Sequence, residues 1–257
     1  MRRIEAPRAN VLGVGVSAIN MEHALSLLES AITSGKKGYI CVTGVHGIME
    51  AQRDTAFRKI LNDSLLTTPD GMPTVWVGKV QGFRCMERVY GPDFMLKVCE
   101  LSRQRGYTQF FYGGMPGVAE QLKSVLTSGF PGLRVVGTYC PPFRTLNGKE
   151  ETELRELVSS TRPDIFWVGL STPKQERFMA EYIHKLDTTV MVGVGAAFNV
   201  HVGLMRDSPD WLKKAGLQWF HRLLQEPSRL WKRYLINNPL FLWKIALQLS
   251  SLKKYPI

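Results

Sequence analysis

The chain has 257 residues, 21% of them charged and 44% hydrophobic, with a net charge of +11. That balance excludes a disordered chain and leaves room for one sizeable core, alone or with an appendage. An excess of basic residues implies an anionic partner: a lipid phosphate, an anionic membrane or a nucleic acid.

Arg2 and Arg3 open the chain, but Glu5, Pro7, Arg8 and Asn10 follow, so the apolar core of a signal peptide is missing and a cytoplasmic protein is expected. Cys41, Cys85, Cys99 and Cys140 are scattered without a CxxC pair, which gives neither zinc spacing nor a disulfide framework. The expected state is four reduced packing residues.

Short apolar runs alternate with helical periodicity, the pattern of an α/β domain on a largely parallel, Rossmann-like sheet with helices on both faces. Strands are predicted near residues 11–16, 38–43, 64–67, 108–112, 134–139, 165–170 and 189–195. Helices are predicted near 20–34, 47–62, 91–105, 116–128, 149–160 and 173–186. The first strand carries Gly13-Val-Gly-Val-Ser-Ala18, a loose G-x-G-x-x-A without an acidic residue at the ribose-binding offset.

Thr43-Gly-Val-His46 follows the second strand, and Pro69-Asp70-Gly71 follows the third. An aspartate between proline and glycine at a strand end can project its carboxylate into a crevice, or merely close an Asx turn. Glu87-Arg88-Val-Tyr-Gly91-Pro92-Asp93 places Arg88 just before a helix start, where it would form a surface pair or clamp a diphosphate.

Three strand–glycine–helix passages come next: Thr108–Gly117 with Gly113 and Gly114, Ile165–Glu176 with Lys174 and Gln175, and Val190–Asn199 with Gly195. Backbone N–H groups at such turns suit phosphate, and turns at the carboxyl ends of parallel strands are expected to face one crevice.

Beyond residue 205 the alternation stops. Three helical segments are predicted, opened by Ser208-Pro209, Glu226-Pro227 and Asn238-Pro239. The predicted division is an α/β domain over 1–205 and a basic, amphipathic, membrane-binding appendage over 206–257, where ten Lys/Arg stand against three Asp/Glu. Arg229, Lys232 and Arg233 share one helix face and Arg222 can join them. Trp231, Tyr234 and Leu235 repeat that spacing one face round, and Leu242, Ile245 and Leu249 extend an apolar stripe. No apolar run approaches the ~20 residues of a spanning helix, so contact with the membrane is expected to be peripheral.

In this order the motifs resemble the WecG/TagA/CpsF family of bacterial glycosyltransferases (glycosyltransferase family 26). The resemblance rests on Thr43, Pro69-Asp-Gly-Met72, Glu87-Arg-Val89, Phe111–Ala119, Val168–Glu176, Gly193–Phe198 and Gly216–Arg222 with Glu226-Pro227, and covers roughly residues 10–235. It implies inverting, metal-independent transfer from a UDP-sugar to a polyprenyl-diphosphate-linked sugar at the cytoplasmic side of the inner membrane, with no cofactor. It also implies that Asp70 matches the proposed catalytic base, and that Thr43, Arg88 and Gln175 match pocket positions.

Val45 departs from the asparagine often found there, and His46 looks more like the exopolysaccharide branch, which uses UDP-glucose or a related hexose. The absence of a D-x-D motif agrees with charge compensation by helix termini and by Arg or Lys. Asp70 is the preferred base, with His46 second. Gly113, Gly114, Lys174, Gln175, Gly195, Asn199 and Arg233 are expected to bind substrate, and Arg222 and Arg229 to grip the acceptor diphosphate.

An NAD(P)-dependent oxidoreductase using Gly13–Ala18 or Gly193–Phe198, and a basic nucleic-acid-binding protein, are the alternatives. As a glycosyltransferase the chain is not expected to bind nucleic acid, and monomer or homo-oligomer stays open.

Overall fold

The computed structural model describes residues 6–257; the opening charges Arg2, Arg3 and Glu5 lie outside them. In chain order come β1 (Arg8–Val11), β2 (Val14–Ser17), α1 (Met21–Thr33), β3 (Gly38–Thr43), α2 (Val45–Ala51), α3 (Thr55–Asp63) and β4 (Leu66–Pro69). Then follow α4 (Met72–Val80), α5 (Gly91–Arg105), β5 (Thr108–Gly113), α6 (Val118–Gly129), β6 (Arg134–Tyr139), α7 (Gly148–Thr161), β7 (Ile165–Gly169), α8 (Lys174–Tyr182) and β8 (Val190–Gly193). The chain closes with α9 (Ala197–His201), α10 (Asp210–Lys214), α11 (Gln218–Gln225) and α12 (Pro227–Leu249).

The fold is α/β, on a six-stranded sheet of order β4-β3-β8-β7-β5-β6 flanked by helices. Pairs β3–β8, β8–β7, β7–β5 and β5–β6 are parallel. Every residue of β5 and β8 is buried, and so are Ile165–Val168 of β7, as expected of strands covered on both faces. Edge strand β6 buries only Val135, and its pattern is correspondingly mixed.

Two compact units divide the chain. The first comprises Glu22–Cys41 and Gly91–Met205; the second comprises Ala6–Met21, Val42–Tyr90 and Arg206–Ile257. Strand β3 passes from the first to the second after Cys41, so Val42 and Thr43 share the second unit with β4.

Within the first unit, α1 buries Ala24, Leu28, Ala31 and Ile32, one helical stripe. Helix α7 starts with a reciprocal cap: Asn147 Oδ1 accepts from the Glu150 N–H at 2.9 Å, and Glu150 accepts from the Asn147 N–H at 2.8 Å.

In the second unit the expected strand at 11–16 is instead an antiparallel hairpin, β1–β2, turning at Leu12 and Gly13. Both turn residues have positive φ, 54° and 81°, which a two-residue hairpin turn favours. The G-x-G of this segment therefore serves a hairpin turn and does not open a helix as a dinucleotide loop would. Ser17 Oγ of β2 accepts from the Thr67 N–H at 3.1 Å, covering β4.

The expected helix at 47–62 is broken in two, because Asp54 accepts from the Phe57 N–H at 2.9 Å and so caps a new start at α3. Helix α4 lay outside the predicted helices.

Past residue 205 the third predicted helix start fails, because α12 runs straight through Pro239. Its buried residues Leu230, Tyr234, Asn237, Phe241 and Ile245 form one unbroken stripe that continues on both sides of the exposed proline. The stripe predicted to continue as Leu242, Ile245 and Leu249 divides: Ile245 is buried, whereas Leu242 and Leu249 are exposed.

These C-terminal helices are tied to the hairpin of the same unit. Gln248 accepts from the Leu12 N–H and donates to the Asn10 carbonyl, both at 2.8 Å, while Asn10 donates to the Tyr255 carbonyl at 2.7 Å. Among the described residues no helix is long and apolar enough to cross a membrane.

Candidate active site

In the second unit the ends of β3 and β4 come side by side, and the Asp70 N–H donates to the Thr43 carbonyl at 3.1 Å. The chain then returns along β4, with the Val89 N–H donating to the Pro69 carbonyl at 2.9 Å. That return sets Arg88 beside Asp70: its Nε donates to the Asp70 carbonyl, and a terminal nitrogen stands 3.9 Å from the carboxylate.

The Asp70 side chain is 33% exposed and that of Arg88 is 12% exposed, so the carboxylate is open to a ligand while the arginine is held in place. Gly44 lies across from them, where an added Cβ would stand 3.9 Å from the Asp70 carboxylate. Thr43 is buried and its hydroxyl has no hydrogen-bond partner among the described residues.

Arg88 is clamped by residues that sequence reading missed. The same terminal nitrogen donates to Gln218 of α11, and the guanidinium lies 4.3 Å from the centre of the Tyr90 ring. The Tyr90 hydroxyl donates to Asp207 at 2.8 Å, and Asp207 pairs with Lys213 at 2.6 Å.

Burial pushes the Tyr90 hydroxyl above the usual tyrosine range, and the bond to Asp207 adds to it. Burial by itself would raise Asp207, but Lys213, Tyr90 and the Ser208 N–H together hold it below its ordinary value. Gln218 and Tyr90 lie inside motifs already noticed, Gly216–Arg222 and Glu87–Asp93. Only folding assigns their partners.

Helices α11 and α12 carry a cluster of basic side chains, one of which, Arg233, lies within electrostatic reach of Asp70. The Nε atoms of half-buried Arg222 and Arg233 are buried without hydrogen-bond partners among the described residues, and exposed Arg229 pairs with Glu226. Burial lowers the Arg233 pKa, and the charges of Arg222 and Arg229 lower it further, while Tyr234 and Asp70 oppose them. Arg233, within electrostatic reach of Arg222, Arg229 and Asp70, centres a surface suited to an anion.

His46 sits on the first turn of α2, with Nδ1 3.5 Å from the Asn237 amide nitrogen and 3.8 Å from Glu50. Arg53 joins the same network by donating to Asn237 Oδ1 at 2.7 Å. The ring is thus engaged with α12 and with its own helix.

The predicted glycine turns occupy the carboxyl ends of β5, β7 and β8 in the first unit. Gly113 has φ +121°, and a Cβ there would come 2.8 Å from the Gly169 backbone on the neighbouring strand. The Gly114 N–H donates to the Gly169 carbonyl at 3.1 Å, so that group is used within the sheet. A Cβ on Gly169 would meet the Phe198 ring at 2.5 Å. Close packing is one reason for these glycines, quite apart from any ligand.

Lys174 is exposed at the start of α8, Asn199 is half-buried on α9, and Gln175 is fully enclosed beside Gly193 and Gly195. The structure therefore groups Thr43, Asp70, Arg88 and the three arginines in one unit, and Gly113, Gly114, Lys174, Gln175, Gly195 and Asn199 in the other.

Comparison with known proteins supplies the class of chemistry. Residues 9–255 match the glycosyl transferase WecG/TagA/CpsF family. A protein of Bacillus spizizenii named N-acetylglucosaminyldiphosphoundecaprenol N-acetyl-β-D-mannosaminyltransferase is 29% identical over 212 residues, covering 82% of this chain and 80% of its own. Its namesake in Bacillus subtilis is 29% identical over 217 residues, covering 84% and 82%. That of Staphylococcus aureus strain MW2 is 23% identical over 259 residues, covering 98% and 97%. This chain belongs to the WecG/TagA/CpsF family and is a glycosyltransferase.

Proposed function

We propose that this glycosyltransferase moves a hexose or an N-acetylhexosamine from a UDP-sugar onto a sugar carried by a polyprenyl diphosphate, with inversion and without a metal. The observation that carries this reading is the partly exposed Asp70 carboxylate, held between Thr43 and Arg88 and within electrostatic reach of Arg233. The relatives' names support the acceptor class, since they describe transfer to a sugar on diphosphoundecaprenol.

In one displacement the acceptor hydroxyl attacks the anomeric carbon while Asp70 takes its proton. The bond from that carbon to the UDP oxygen breaks, UDP leaves with the electron pair, and the anomeric centre inverts. Charge on the phosphates is met by arginine: Arg88 fits the donor's leaving group, and Arg222, Arg229 and Arg233 fit the acceptor diphosphate. Thr43 offers an unused hydroxyl to the bound sugar.

The 206–257 segment is the membrane-docking part of this proposal, at the cytoplasmic face. Trp211, Trp231, Leu235, Leu242 and Trp243 are all exposed, and basic residues, Lys232 and Lys244 among them, accompany them. That combination suits an anionic interface.

The test is a panel of UDP-sugars offered with a synthetic polyprenyl-diphosphate N-acetylglucosamine, following UDP release with and without EDTA. Transfer that persists in EDTA with one UDP-sugar is the expected result. Transfer that needs added Mg²⁺ or Mn²⁺ overturns the metal-independent mechanism, and the absence of transfer from every UDP-sugar overturns the donor class.

A further inference from the structure

Gln175 is 2% exposed, and among the described residues its amide is hydrogen-bonded at one end only. Its Nε2 donates to Glu176 Oε1 at 3.0 Å, and the same oxygen accepts from Thr172 Oγ1 at 2.8 Å. A carboxylate oxygen receiving two donors fixes which end of the neighbouring amide faces it: the NH₂ end must point at Glu176 and the carbonyl end away.

That carbonyl oxygen is buried with no hydrogen-bond partner among the described residues. It lies against the turn after β8, where an added Cβ on Gly195 would stand 3.6 Å from it. A Cβ on Gly193 would stand 3.2 Å from Nε2. The missing side chains at both glycines leave the amide against bare backbone. A buried acceptor left empty is costly, so a site that keeps one is shaped for a donor that arrives with the ligand.

We propose that Glu176 is a positioning residue: with Thr172 it locks the Gln175 amide so that its carbonyl accepts an N–H or O–H group of the bound nucleotide-sugar at the β8 turn. The inference rests on the UDP-sugar reading above. The donor group is an imide N–H of the base, a ribose hydroxyl or a hydroxyl of the transferred sugar, and three ligands distinguish these sources.

The full chain and the variants Glu176→Leu, Glu176→Gln and Thr172→Val are titrated calorimetrically with UDP, N3-methyl-UDP, 2′-deoxy-UDP and the UDP-sugar that supports turnover. Glu176→Leu keeps volume but frees the amide to rotate, so donor affinity should fall about tenfold, the worth of one buried hydrogen bond. The donor KM should rise in step while kcat stays within about threefold. Glu176→Gln still offers an acceptor oxygen and should restore binding, which a purely structural carboxylate need not allow.

An analogue that is itself weakened, and that loses nothing further in Glu176→Leu, identifies the donor group. A loss confined to the UDP-sugar assigns it to the sugar. Should Glu176→Leu not fold, Thr172→Val gives the same reading with a smaller loss. Unchanged affinity and KM in the folded Glu176 and Thr172 variants overturn the inference, whereas a wild-type chain that binds none of these ligands overturns the donor reading beneath it.

Discussion

Arg88 and Asp70 are joined through the backbone before they meet through charge: the Arg88 Nε donates to the Asp70 carbonyl, and the guanidinium stands 3.9 Å from the carboxylate. The turn that presents Asp70 is thus held by main-chain groups of Asp70, bonded to Arg88 and Thr43.

Asp70→Asn should therefore fold normally and bind UDP as the wild type does, yet lose ~10²- to 10⁴-fold in kcat, the usual loss on removing a general base. UDP-release kinetics beside a UDP titration check this. Near-normal turnover would remove Asp70 as the base and move attention to His46.

Arg88→Lys keeps the charge but loses the fork. One ammonium cannot reach the Asp70 carbonyl, Gln218 and the Tyr90 face together, so kcat/KM should fall about tenfold or more, with a lower melting temperature. Wild-type kinetics in this variant would show that charge alone suffices.

Arg233→Met should leave stability unchanged or improve it, because a half-buried cation repelled by Arg222 and Arg229 is replaced by an apolar chain. The KM for the lipid-diphosphate acceptor should rise about tenfold as a charge-assisted contact is lost. A raised donor KM with an unchanged acceptor KM would place Arg233 on the other substrate.

Replacing exposed Trp231, Leu235, Leu242 and Trp243 by glutamine should abolish sedimentation with phosphatidylglycerol vesicles while the melting temperature holds. Point substitution is a cleaner test than truncation at 206, which would remove Gln248 and Tyr255 from the β1–β2 hairpin. Undiminished vesicle binding would reject this face as the anchor.

The Asp207 carboxyl is held below the ordinary aspartate value of 3.8, so its stabilising contribution is present above that pH and is lost as the pH falls through the lower, folded value. Urea midpoints of the wild type and Asp207→Asn should differ at pH 7 and converge as the pH is taken below 3.8. A constant gap would mean that the Tyr90 and Lys213 contacts do not depend on ionisation.

The apolar runs that became β3, β5, β7 and β8 were legible because strands buried on both faces must be continuously hydrophobic, whatever they pack against. Asp70 and Arg88 stood out because proline and glycine mark sharp turns locally. The hairpin at Leu12-Gly13 reads as a strand in sequence, since two turn residues inside an apolar run interrupt nothing but the backbone angles. Pro239 reads as a break, yet a buried stripe of residues from Leu230 to Ile245 favours continuing the helix over stopping it.

That Arg233 comes within electrostatic reach of Asp70, which glutamine grips Arg88 and which end of the Gln175 amide is left empty depend on partners far away in the chain or on a single side-chain orientation. Hydrophobic periodicity is a local property and fixed the elements; hydrogen-bond and charge partners are set by proximity in space, which only the tertiary structure decided.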